Sequence, residues 1–69
     1  MNTESIQISL AAARVNANMT QKQVCDIMHI SKTTLCSWEN GRTSPSIKQS
    51  RELSELYKMP YDAIIFLPT

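Results

Sequence analysis

The sequence predicts an all-α fold, a compact bundle of four to five short helices. Three observations carry this. Thr20, Ser31 and Ser46 stand where helices would start, and two of them form capping boxes, Thr20 with Gln23 and Ser46 with Gln49. Apolar residues then recur at threes and fours. No alternating apolar run with turn chemistry competes for a sheet.

Residues 1–5 are polar and expected to fray. The first helix is expected over residues 6–17, where Ile6, Leu10, Ala13 and Ala17 recur and the alanines favour helix. Asn16 and Asn18 mark its end. The second helix follows Thr20 and buries Val24, Cys25, Ile27 and Met28. His29, Ile30 and Ser31 link it to a third, from Lys32 to Glu39 or Asn40, with Ser31 as its N-cap. Leu35 and Trp38 face inward, and Gly41 offers a left-handed cap. The fourth helix follows Ser46 and runs to about Tyr57, with Ile47, Ser50, Leu53, Ser54 and Tyr57 inward. Pro60 can open a short fifth helix. Ile64 and Ile65 close the core, and Pro68 ends the helix. Ile64-Ile65-Phe66 also suits an extended segment.

The 69 residues fit one domain, residues 1–69, with an ordered part of about 6–67. A hydrophobic content of 42% argues against disorder. A single glycine excludes a Gly-rich phosphate loop. One His and two Cys exclude a site of four ligands drawn from those types, so neither metal nor cofactor is expected. No nucleophile–base pair or paired carboxylates point to an enzyme. Cys25 and Cys36 read as unpaired thiols. No signal-peptide pattern is visible, and the longest apolar stretch, residues 63–67, is far short of a membrane span. The expected location is the cytoplasm, without a membrane or an evident small-molecule ligand.

The net charge of +1 hides an asymmetry. Residues 11–51 carry Arg14, Lys22, Lys32, Arg42, Lys48 and Arg51 against Asp26 and Glu39, a balance of +4. Residues 1–10 carry −1 and residues 52–69 carry −2. A basic middle between acidic ends suits a local anionic partner.

Two short helices joined by only three residues cannot lie flat against each other. They cross steeply and leave the second projecting, which is helix-turn-helix geometry able to place that helix in a major groove. Its outward face, from Lys32 to Ser37, holds cationic and hydroxyl groups and no carboxylate. Thr and Ser can meet a base edge or a phosphate, and a Thr methyl can meet a thymine methyl.

Gln21 through Gly41, within the stretch TQKQVCDIMHISKTTLCSWENGRTSPS, resembles the DNA-binding helix-turn-helix of the lambda repressor, Cro and XRE-type family. The likeness rests on Gln21, Cys25, the run Trp38-Glu39-Asn40-Gly41 and the run Pro45-Ser46-Ile47, and extends over about residues 6–65. It implies a lambda repressor-like fold that binds double-stranded DNA. Lys32, Thr33, Thr34 and Ser37 fall at the family's base-reading positions. Gln21, Ser31, Asn40 and Arg42 fall where it meets phosphates. It also implies a salt bridge between Arg14 and Glu39, and a guanidinium fork does match a carboxylate. His29 replaces the family's usual glycine in the turn, and Cys25 replaces its usual alanine. His tolerates a positive φ better than most residues, and Cys is small and often buried.

The expected function is a sequence-specific transcriptional regulator, a small repressor or Cro-like protein on an inverted-repeat operator. The alternative is a protein-interaction module, such as an anti-repressor, antitoxin or accessory factor, that keeps the fold. A homodimer is expected, formed in the extreme only on DNA. Leu56, Ile65 and Phe66 are its candidate contacts, because the apolar tail exceeds what one packing face needs.

Overall fold

The computed structural model describes residues 7–66. Within them the chain runs β1 (Ile8–Ser9), α1 (Leu10–Asn16), α2 (Gln21–Met28), α3 (Lys32–Glu39), α4 (Ile47–Tyr57), a 3₁₀ turn (Tyr61–Ala63) and β2 (Ile64–Ile65). The four α-helices form a bundle that contains a helix-turn-helix.

Each helix starts at a hydroxyl cap. Ser9, Thr20, Ser31 and Ser46 accept hydrogen bonds from the backbone N–H groups of Ala12, Gln23, Thr34 and Gln49 at 3.0–3.1 Å. Gln23 and Gln49 return the bond to the cap backbone at 2.8 and 2.9 Å, closing both capping boxes. Such a cap stabilises a helix by about 1 kcal/mol. These starts replace nucleation strength that helices of seven to eleven residues lack.

The helix ends share a second device. Asn18, His29, Gly41 and Lys58 follow α1 to α4 with φ of 59°, 58°, 76° and 56°. After α3, the N–H of Arg42 bonds Ser37 O at 2.9 Å and the N–H of Gly41 bonds Trp38 O at 3.2 Å. That is a Schellman motif, which turns the chain sharply out of α3. His29 takes the left-handed conformation itself, so the turn between α2 and α3 forms without glycine.

The core joins every helix. Leu10, Ala13, Val24, Cys25, Leu35, Trp38, Leu53, Tyr57 and Ile64 are buried together. Trp38 and Leu35 of α3 lie among residues of α1, α2 and α4, so the third helix is fixed by its inner face.

Five expectations need correction; one is Ile65, which is 38% exposed because successive strand residues point to opposite sides and Ile64 takes the buried one. The first helix begins at Leu10, because Ile8 and Ser9 are drawn into parallel pairing with Ile64 and Ile65; Ile6 lies outside the described residues, as do Leu67 and Pro68. The fifth helix is a single 3₁₀ turn after Pro60, and Ile64-Ile65 is the extended segment its β-branched residues favour. Ile27 is 53% exposed. At 100° per residue Val24, Cys25 and Met28 fill the inward arc of α2 and put Ile27 on its flank. Ile47 is 69% exposed. A first-turn side chain leans off the helix start, and Pro45 is buried there instead.

No helix among the described residues is long and apolar enough to cross a membrane.

Candidate nucleic-acid interface

The interface is built on α3. Leu35 and Trp38 anchor its inner side. Lys32 and Thr33 are exposed, and Thr34 and Ser37 are half-buried. Thr33 and Ser37 are one helical turn apart and share a face. The Thr34 hydroxyl meets Ser31 Oγ at 2.9 Å, so these two side chains bind each other beside the start of the helix.

Glu39 is the one carboxylate of α3, and it is turned away from that face. Its side chain is 6% exposed. Arg14 Nε donates to Glu39 Oε2 at 2.8 Å, and Arg14 Nη1 donates to the carbonyl of Met19 at 2.9 Å. Gln21 Nε2 donates to Glu39 Oε1 at 3.0 Å and to Cys36 Sγ at 3.5 Å. The carboxylate is thereby shared between α1 and the first residue of α2. The hydrogen bond from Arg14 and the charge of Glu39 push the guanidinium above its ordinary range, against the opposing effect of burial.

Gln21, which stands at the family's phosphate-meeting position, belongs to this network. Its amide hydrogens are directed inward, at Glu39 and Cys36. What α2 presents outward at its start is backbone: the N–H groups of Gln21 and Lys22 precede the first intrahelical bond, Val24 N to Thr20 O at 3.2 Å. Sequence reasoning missed this role, because Gln21 lies 18 residues from Glu39 and no local pattern couples them.

Asn40 and Arg42 are exposed immediately past α3, placed by the Schellman turn. Ser31 is exposed at the other end. Ser31, Lys32, Thr33, Asn40 and Arg42 thus border the outward side of α3 from end to end.

The remaining titratable groups nearby are structural. Burial pushes the Cys25 thiol up, which keeps it protonated and unreactive. Burial also pushes the Tyr57 hydroxyl up to about 12, with the Glu39 charge adding to it and Arg14 opposing. That hydroxyl oxygen is buried and has no hydrogen-bond partner among the described residues. Cys25 and Cys36 are free. No group of three or more His, Cys, Asp or Glu among the described residues is arranged to hold a metal ion.

The candidate dimer contacts separate. Ile65 and Phe66 line one cleft with Tyr61, whose ring stacks on Phe66 at 5.1 Å. Leu56 lines a different cleft, beside Ile27 and Met28.

Comparison with known proteins agrees with this geometry. The chain is 25% identical over 56 residues to the HTH-type transcriptional activator BcrR of Enterococcus faecalis. It is 38% identical over 58 residues to the type II methyltransferase M1.ScrFI of Lactococcus lactis subsp. cremoris. These matches cover 81% and 80% of the chain but only 28% and 14% of those proteins, so the chain corresponds to a small part of each. No solved structure matches it significantly. The HTH_3 family profile, described as helix-turn-helix, matches residues 10–64, from the first residue of α1 to the start of β2. The chain therefore belongs to this family of helix-turn-helix DNA-binding domains, which relates it to transcriptional regulators.

Proposed function

We propose that the protein is a sequence-specific regulator of transcription that acts by occupying an operator as a small repressor or Cro-like protein. One observation carries this reading: the outward side of α3 offers a cation and hydroxyls, while its only carboxylate is turned inward against Arg14. A carboxylate left on that side would repel phosphate. Lys32, Thr33, Thr34 and Ser37 read bases; Ser31, Asn40, Arg42 and the first backbone N–H groups of α2, at Gln21, meet phosphates. Short side chains reach base edges partly through water.

One helix reads too few base pairs to define an operator. A homodimer on an inverted repeat, with half-sites about 34 Å apart, supplies the rest. The cleft of Tyr61, Ile65 and Phe66 is the candidate contact, with Tyr61 46% and Ile65 38% exposed. Leu56, the third candidate, lines a separate cleft. Such an interface is small, so the dimer is weak alone and tightens on DNA.

Random-duplex selection followed by two substitutions tests the assignment. Arg42→Ala lowers affinity for all recovered sites about equally. Ser37→Ala changes their ranking. The opposite pattern, or no enrichment of any sequence, overturns the reading. Sedimentation of wild type and Phe66→Glu on a two-site duplex tests the dimer: independent occupation of half-sites by the wild type refutes it.

A further inference from the structure

We propose that the open cleft between the end of α2 and the C-terminal half of α4 is a docking surface for a protein segment that sets an apolar anchor between Lys or Arg side chains. The cleft has a volume of about 370 Å³ and is lined by Ile27, Met28, His29, Glu52, Glu55 and Leu56. Its apolar floor is genuine. Ile27 is 53% exposed, while Met28 and Leu56 are half-buried against the core and cannot turn away.

Its rim is acidic in a domain whose middle is basic. Glu52 and Glu55 are both exposed, one turn apart on α4, and line the cleft together. Lys48 and Arg51 stand four residues before them, but neither forms an ion pair with them; the ion pairs among the described residues are Arg14–Glu39 and Lys22–Asp26. The order is unfavourable, since a base before an acid along a helix pairs less well than the reverse. Asp26, the nearby carboxylate of α2, is held by Lys22 at 2.9 Å. The two α4 carboxylates are therefore the charges that face an incoming partner, and no Lys or Arg lines the cleft.

This combination selects the occupant. Phosphates are repelled by two carboxylates, so nucleic acid does not enter. An uncharged apolar ligand leaves the carboxylates unused. A two-fold pairing of two copies through this cleft sets the same patch against itself, so Glu52 and Glu55 would face their own counterparts and repel, and none of the chain's exposed cations, Lys22, Lys32, Arg42, Lys48, Arg51 and Lys58, lines it. A cationic, apolar segment of another protein satisfies both parts of the cleft: an apolar side chain covers Ile27 and Leu56, and flanking cations meet Glu52 and Glu55.

The test needs no DNA, so its failure leaves the duplex-binding reading intact. A random peptide library displayed on phage is selected on the immobilised full chain and counter-selected on the Glu52→Lys/Glu55→Lys variant. The proposal expects enriched peptides that join Leu, Ile, Met or an aromatic residue to Lys or Arg. A synthetic copy of the most enriched peptide binds the wild type about tenfold or more tighter than the charge-reversed variant. It shifts the amide resonances of residues 27–29 and 52–56. Ile27→Ser, an exposed position, weakens the same peptide and guards against a folding defect in the double variant. Failure to enrich any peptide, enrichment without basic residues, equal binding to the variants, or shifts elsewhere overturns the proposal. So does sedimentation showing that the wild type self-associates and the charge-reversed variant does not, which would assign the cleft to a second copy.

Discussion

Arg14 Nε and Glu39 Oε2 lie 2.8 Å apart, joining the first helix to the last residue of the third. Gln21 adds α2 to the same carboxylate at 3.0 Å. One side chain of α3 is thus tied to both preceding helices, and the tie sets the pose in which Lys32, Thr33 and Ser37 are presented.

Removing one partner of such a pair leaves the other charge poorly solvated. Glu39→Ala is expected to lower unfolding free energy by about 3–5 kcal/mol. In a double-mutant cycle with Arg14→Ala, chemical denaturation should return a coupling of about 1–3 kcal/mol. A coupling near zero would make the two residues independent charges. Gln21→Ala, which removes one hydrogen bond to the carboxylate, should cost about 1.5–3 kcal/mol.

The left-handed helix ends lead to a gain rather than a loss. A left-handed conformation costs an L-residue roughly 1–2 kcal/mol that glycine avoids. Glycine returns part of this through its extra freedom in the unfolded chain. His29→Gly and Lys58→Gly are each expected to stabilise the domain by about 0.5–1 kcal/mol, read as a higher midpoint of thermal unfolding. Destabilisation at His29 would mean that its side chain contributes packing that outweighs the backbone cost.

Local signals made the helix starts legible. In both capping boxes the partners lie three residues apart, so Thr20–Gln23 and Ser46–Gln49 could be read directly. The pairing of Ile8-Ser9 with Ile64-Ile65 could not, since two-residue strands far apart in sequence carry no alternation to detect. Nor did apolar spacing alone separate Ile27 and Ile47 from their buried neighbours. A flank position and a helix start both satisfy the count of threes and fours. At the interface, residue types and a family likeness pointed to Lys32, Thr33 and Ser37. The inward commitment of Gln21 depends on where α1, α2 and α3 meet, which only the fold supplies.

Tyr57 gives a pH dependence of defined sign. Its hydroxyl is raised from an ordinary value near 10 to about 12. Between those values the folded state keeps a proton that the unfolded state has released, so stability falls as pH rises. The contribution is fully present below about pH 10, and about 3 kcal/mol is lost by the time pH passes about 12. Tyr57→Phe should flatten this slope in denaturation curves taken across that window. Because the hydroxyl has no partner, the same substitution is expected to be neutral or to stabilise by about 1 kcal/mol at neutral pH. An unchanged alkaline slope in Tyr57→Phe would assign the dependence to another group.

The most direct test of the account is the affinity for a duplex recovered by random selection, measured against its scrambled counterpart from 50 to 200 mM salt. The selected duplex should bind more tightly throughout. Log K should fall linearly with log salt, by about 0.9 for each phosphate neutralised, and Arg42→Ala should shallow the slope by about one such step. Equal affinity for both duplexes, or an affinity indifferent to salt, would contradict the claim that α3 and its flanking residues form a sequence-reading DNA interface.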